Sequence, residues 1–345
     1  MKKSATVLVT GGTGFVGLRL IFTLLQQGYT VRTTVRQLSS KDKIIAALSE
    51  HGILDLEQLS FIEAELTDDR NWDAAMQGST YVLSVASPVF FDIPEDENEA
   101  IRPAVEGIRR VLKFAQQAGV KRVVMTSNFG AVGFSQTDKT RQTTEEDWTD
   151  VHLKGLSVYE KSKTLAEKAA WYFIRTEGDS LELAVINAVA IYGPALDAHV
   201  SGSFHLLTNL LNGSMKLVPN IPLNVVDIRD VAELHIRAMI TPEANGQRFI
   251  AAADGQITLP GIAALLKTRL PEVSGKVSMR RLPDLLVRFA ALFNRKAREG
   301  VVFLNMNRNI SNAKARQALG WKPIASQEEA ILTGVASMAR YRMIS

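Results

Sequence analysis

Tyr159 and Lys163 stand four residues apart in the run Tyr159-Glu-Lys-Ser-Lys163. The segment has a helical pattern, so this spacing puts both side chains on one helix face. A phenol at its ordinary pKa near 10 is a poor acid at neutral pH. An ammonium beside it favours phenolate and brings that value down, which makes proton transfer to a developing alkoxide practical. Alone, a tyrosine and lysine at this spacing are more often a surface pair than a catalytic one.

A second signal lies far upstream. Thr10-Gly11-Gly12-Thr13-Gly14-Phe15-Val16-Gly17 places glycines at 11, 14 and 17. Glycine there permits positive φ, close approach of backbone to a pyrophosphate and tight helix packing, and a helix N-terminus offers free N–H groups to the anion. The turn sits between an apolar β-branched run, 6–10, and a segment with Leu18, Ile21, Leu24 and Leu25 at helical spacing, the context a dinucleotide site requires.

The elements that would position these residues alternate. Strands are predicted at 30–36, 59–64, 81–86, 122–127 and 183–191, with helices at 41–50, 98–117 and 158–176 between them. Strands joined by helical crossovers imply a doubly wound parallel sheet covered on both faces, an α/β Rossmann fold. Beyond Gly193-Pro194 the pattern loosens into helices at 204–211, 231–239, 262–270, 284–293, 312–319 and 327–338. The expected division is a dinucleotide-binding domain over 1–193, to which segments around 222–252 return, and a smaller, mainly helical substrate lobe over 194–345. A cleft between two lobes is the default ligand site.

Jointly, the glycine turn, Val85-Ala-Ser-Pro88, Val123-Val-Met-Thr-Ser127, Tyr159-Glu-Lys-Ser-Lys-Thr-Leu-Ala-Glu-Lys168, Ile191-Tyr-Gly-Pro194, Val226-Asp-Ile-Arg-Asp230 and Leu319-Gly-Trp-Lys-Pro323 resemble the extended short-chain dehydrogenases/reductases. The likeness is greatest to the branch of dihydroflavonol, cinnamoyl-CoA and bacterial aldehyde reductases, and it covers nearly the whole chain. It implies an NADP(H)-dependent oxidoreductase that reduces the carbonyl of a small aldehyde or ketone, Tyr159 acting as general acid and Lys163 also holding the nicotinamide ribose. Cofactor contacts carried over are Gly11, Thr13, Gly14, Phe15, Val16 and Gly17 in the turn, Glu65 and Leu66 near the adenine, Val85, Ala86 and Ser87 after the fourth strand, Thr126 in the fifth, Ala188 and Ile191 in the sixth, and Tyr159 and Lys163 themselves.

Dinucleotide choice is legible at the second strand. NAD-binding members of this fold commonly end it in a carboxylate that holds the ribose hydroxyls. Between Gly28 and Lys41 there is no acid; Arg36 ends the strand and Lys43 follows, as basic groups beside a 2′-phosphate would. The resemblance departs at three points. Asn128 aligns with the usual serine, so either Asn128 polarises the carbonyl through its amide or a one-residue shift presents Ser127; adjacent strand residues face opposite ways. Glu65-Leu66 stands where relatives have Asp-Leu, and Asn187-Ala188-Val189 where they read Asn-Pro-Val.

The absence of cysteine excludes disulfides and thiolate chemistry and fits a cytoplasmic location. The five histidines are too dispersed for a metal pattern, and the acids Asp92, Glu95, Asp96, Glu97 and Glu99 suit a helix start better than a cation. The net charge of +4 is scattered without interleaved aromatics, so no nucleic acid is expected. The richest apolar run, 285–293, contains Arg288 and is too short to span a bilayer, so no membrane span is expected. A monomer and a homodimer both stay open. The competing readings are a nucleotide-sugar epimerase or dehydratase, which would use the same Tyr and Lys with NAD, and a non-catalytic dinucleotide-sensing protein.

Overall fold

The computed structural model describes residues 5–88 and 96–344. Asp92 and Glu95 of the acidic stretch lie outside the described residues. Seven strands, β1 (Thr6–Val9), β2 (Thr30–Val35), β3 (Leu59–Glu63), β4 (Tyr81–Ser84), β5 (Arg122–Asn128), β6 (Glu182–Ala188) and β7 (Gln247–Ala251), form one sheet in the order β7-β6-β5-β4-β1-β2-β3. Every pairing in it is parallel. The order reverses beside β1, and in such sheets ligands bind at the carboxyl ends of the strands flanking that switch.

The strands alternate their contacts, as the pleat requires. Val7, Val9, Leu83, Val124 and Ile186 enter one core with α1 (Phe15–Gln26), while Leu8, Val82, Val123 and Val185 enter another. That second core holds α3 (Trp72–Met76), α4 (Glu97–Gln117) and α5 (Val158–Thr176) against the opposite face, and α2 (Lys41–Glu50) follows β2. Two caps fix the starts of the long helices. The Asp96 carboxylate accepts from the N–H groups of Asn98 and Glu99, and Ser157 Oγ accepts from Glu160 N at 3.3 Å, which puts Tyr159 in the first turn of α5.

After β6 the chain leaves the sheet. The single strand expected over 183–191 is divided at Val189: Val189 N still bonds to Ala251 O, but Ala190 N turns to Asn224 O, and Ala190–Tyr192 pairs with Val225–Asp227 instead. The next helices are α6 (Phe204–Leu211), α7 (Ile228–Ile240) and α8 (Leu259–Arg269), then α9 (Asp284–Ala290), α10 (Arg295–Asn305), α11 (Ala313–Leu319) and α12 (Gln327–Arg340). Phe204 and Leu207 of α6, Ile262 and Leu266 of α8, and Ile331 and Met338 of α12 close a third core around Tyr192. Between α7 and α8 the chain returns to the main sheet as β7, and α7 packs in the core shared with α1.

The helix expected over 284–293 stops at Ala290, and α10 follows where the sequence pattern predicts no helix. Asn294 Oδ1 caps α10 by accepting from Ala297 N at 3.1 Å, a signal present in the chain but masked by the basic run that follows it.

Candidate active site

The glycine turn is shaped by two demands. Gly11 has φ +70°, the left-handed region, and its N–H donates to Thr34 Oγ1 at 3.0 Å while its Cα side lies against Ala86. At Gly17 a Cβ would collide with the carbonyl oxygen of Gly11, so only glycine lets α1 start this close to the turn. Thr10, which motif reasoning passed over, ties the site together: its Oγ1 accepts from the N–H groups of Val85 and Ala86, both at 2.9 Å. The start of α1 has neither a side-chain cap nor an acid in its first turn. Its N–H groups are therefore disposed to receive an anion, and the cradle fits a dinucleotide pyrophosphate.

Behind the turn runs a narrow cleft lined by Leu66, Ser84, Ala86, Ser87, Ala104, Met125, Thr126, Lys163 and Ala166. Lys163 is buried there, with Nζ 5.9 Å from the centroid of the Tyr159 ring. Desolvation lowers its pKa to about 8, and the Glu167 carboxylate one turn along α5 opposes that fall. The sequence spacing implied that Lys163 would pull the phenol down. In the free protein the balance is reversed: burial, then the adjacent Glu160 carboxylate, raise Tyr159 above its ordinary value, while a hydrogen bond from the Asn128 side chain works against them. Glu160 itself is pushed up to about 7 by burial.

Asn128 Oδ1 has no partner among the described residues, so its amide N–H is the group that reaches the phenol. Ser127, the alternative left open by the sequence, is 2% exposed with its Oγ buried and unpaired among the described residues. The structure thus brings Asn128, Tyr159 and Lys163 together and leaves Ser127 apart from the phenol.

These groups rest on a buried network. Asn187 Nδ2 donates to Asn128 O at 3.2 Å and to Glu167 Oε2 at 2.7 Å. Glu167 Oε1 accepts from Arg248 Nε at 2.5 Å, and the guanidinium stacks 3.7 Å from the centroid of the Trp148 ring. The network joins α5, β6 and β7 beneath the site, and nothing in the local sequence pattern announced it.

Thr126 Oγ1 lies 2.7 Å from His235 Nε2 of α7, and His235 Nδ1 lies 2.7 Å from Val231 O. Because a backbone carbonyl only accepts, Nδ1 carries the proton and Nε2 accepts from Thr126. Burial holds this imidazole down to about 4 against an ordinary 6.5. Its contribution to stability is complete above pH 6.5 and is lost as pH falls toward 4, where the unfolded chain takes up a proton and the folded one does not. An NMR titration should show the His235 ring unchanged from pH 8 to 5.5; a midpoint near 6.5 would contradict the buried neutral ring.

The family model for "NAD dependent epimerase/dehydratase family" matches residues 7–252. The chain belongs to this family. An anthocyanidin reductase of Vitis vinifera is 33% identical over 282 residues, covering 77% of this chain and 81% of the relative. A dihydroflavonol 4-reductase of Zea mays is 34% identical over 278 residues, covering 78% and 76%. Among solved structures, Gre2 from Candida albicans in complex with NADPH superposes with TM-score 0.79 at 25% identity, over 98% of this chain and 99% of that one.

Phe15 is buried and Thr13 and Val16 half-buried at the start of α1; Ala188 pairs with Asn128 across β6 and β5. Leu66 packs against Gly107 of α4, whereas Glu65 is exposed and uses its carbonyl to accept from Trp72 Nε1 at 2.8 Å. Ile191 offers its N–H to Ser203 Oγ and its carbonyl to Ser201 Oγ, at 3.3 and 3.1 Å. The Thr126 hydroxyl is engaged by His235, and Thr126 also lines the cleft.

Arg36 and Lys43 are both exposed, at the end of β2 and in the first turn of α2. The register of β2 on β3 adds a carboxylate that the linear reading did not foresee: Val35 is opposite Glu63, whose Oε2 accepts from Leu38 N at 3.1 Å. Among the described residues no helix is long and apolar enough to cross a membrane, and no group of three or more His, Asp or Glu is arranged to hold a metal ion.

Proposed function

We propose that this family member is an NADPH-dependent reductase of an aldehyde or ketone. The observation that carries the reading is the grouping of Asn128 and Tyr159 beside Lys163, which lines the cleft behind an uncapped, glycine-lined helix start. The similarity to anthocyanidin and dihydroflavonol reductases supports the reaction type, and the NADPH complex of the structural neighbour supports the cofactor. NADPH supplies the hydride when bound. Tyr159 delivers a proton from Oη to the carbonyl oxygen, and the Asn128 hydrogen bond to the phenol opposes the burial that tightens its hold on that proton. Asn128 holds the phenol oxygen by its amide N–H, and Lys163 places a cation where the nicotinamide ribose would lie. The lobe built on α6, α8 and α12 holds the substrate, and residues 1–193 with β7 hold the dinucleotide. Loss of NADPH absorbance over a panel of aldehydes and ketones tests the reading; no turnover with any of them would count against it.

Arg36 and Lys43 are proposed to bind the 2′-phosphate, with Glu63 kept out of the way by its bond to Leu38 N. Charge-assisted bonds of about 1.5 to 3 kcal/mol predict an NADPH preference of roughly tenfold to a hundredfold. Arg36→Ala with Lys43→Ala should erase most of it and leave NADH affinity nearly unchanged in a fluorescence titration. Equal affinities in the unmodified protein would leave both residues as solvated bases.

A further inference from the structure

Arg308 follows α10 in a segment fastened on both sides. Asn307 Nδ2 donates to Asp138 O and Arg141 O, both at 2.8 Å, and Thr143 N donates to Asn309 O at 2.9 Å. The carbonyl of Arg308 itself accepts from Asn224 Nδ2 at 3.1 Å. The backbone is thus fixed, but the side chain is not provided for. Arg308 is 8% exposed, and its Nε and Nη2 are buried without any partner among the described residues.

Those two nitrogens form one edge of the guanidinium, the pair of parallel N–H groups that a carboxylate or phosphate engages in bidentate fashion. A buried cation without a counter-charge costs several kcal/mol, so a fold that fixes the backbone around one calls for an anion from outside the chain. Burial lowers this group only to about 10, which keeps it charged at neutral pH.

Its surroundings lead back to the reacting groups. The guanidinium carbon is 5.7 Å from the Phe303 ring centroid, Phe303 packs edge-on against Phe134 at 5.4 Å, and Phe134 lies 6.5 Å from Phe129, the residue after Asn128. Asn224, which holds the Arg308 carbonyl, also accepts from Ala190 N just beyond the end of β6. Arg308 also lies beyond the span that the family model matches.

We propose that Arg308 is a specificity-determining residue that binds an oxyanion, carboxylate or phosphate, carried by the carbonyl substrate. The catalytic consequence rests on the reductase reading; the binding consequence does not. Calorimetry on the full chain at low salt, with benzoate, phenyl phosphate and the neutral benzamide as probes, reads the binding directly. Benzoate or phenyl phosphate should bind roughly ten to a hundred times more tightly than benzamide, as one bidentate charge-assisted contact allows. Arg308→Gln should remove that advantage and Arg308→Lys should restore part of it.

Whichever of the two anions binds more tightly identifies the oxyanion. Binding of both no tighter than benzamide overturns the proposal, as does an advantage that survives Arg308→Gln. If Arg308→Gln fails to fold, the unmodified protein and Arg308→Lys still decide by the same comparison. In turnover, 4-carboxybenzaldehyde should show a lower KM than its neutral methyl ester at similar kcat, and Arg308→Gln should raise only the former. Reduction of neither aldehyde, with anion binding dependent on Arg308 intact, would sink the reductase reading and leave this one standing.

Discussion

Tyr159→Phe is expected to retain NADPH binding and to lower carbonyl reduction by roughly a hundredfold or more. The ring that packs beside Lys163 is kept, and only the oxygen that takes the Asn128 hydrogen bond and supplies the proton is removed. The effect should fall on kcat more than on KM, since the missing interaction belongs to the transition state rather than to substrate binding. Asn128→Ala should follow the same direction with a smaller loss. Ser127→Ala should do little, because the buried Ser127 Oγ has no hydrogen-bond partner among the described residues and its loss breaks no bond. Single-turnover rates with cofactor binding measured separately check all three; near-original turnover in Tyr159→Phe would remove the tyrosine from the acid role, and a larger loss in Ser127→Ala than in Asn128→Ala would support the shifted register.

The residues just ranked show where sequence reasoning reaches its limit. The glycine turn and the alternation of apolar strands with helices are local patterns, and each is set by physics that acts over a few neighbours: positive φ at Gly11, the crowding at Gly17, the helix-face spacing of Tyr159 and Lys163. The parallel sheet follows from such patterns. Register does not. Whether Ser127 or Asn128 faces Tyr159 depends on how β5 meets α5 across the intervening residues 129–157, and Glu63 reaches the end of β2 only through the pairing of β2 with β3. The sign of the change at Tyr159 is hidden from the sequence for a related reason. A helical spacing exposes the nearby ammonium, but burial, which dominates here, is a property of the assembled lobes. Arg248 and Glu167 lie eighty-one residues apart, and Arg308 is identifiable only by the partners it lacks.

Glu167→Gln is expected to destabilise the fold by about 3 to 5 kcal/mol, because removing one member of a buried ion pair strands the other charge. Glu167 is fully buried and Arg248 nearly so, and among the described residues the carboxylate is the only anion bonded to that guanidinium; its other partners are the Ala131, Glu145 and Asp147 carbonyls and the Trp148 ring. Chemical denaturation followed by circular dichroism measures the loss. If the pair is coupled as its geometry implies, Glu167→Gln combined with Arg248→Leu will cost less than the sum of the two single changes. Strict additivity would mean that the two charges stabilise the fold independently. The same substitution has a consequence at the site. Glu167 opposes the fall in the Lys163 pKa, so its loss lets burial take the ammonium further below about 8. In any Glu167→Gln protein that still folds, activity should begin to decline at a lower pH on the alkaline side than in the original. An unmoved alkaline limb, measured where both proteins remain folded, would show that Lys163 does not set it.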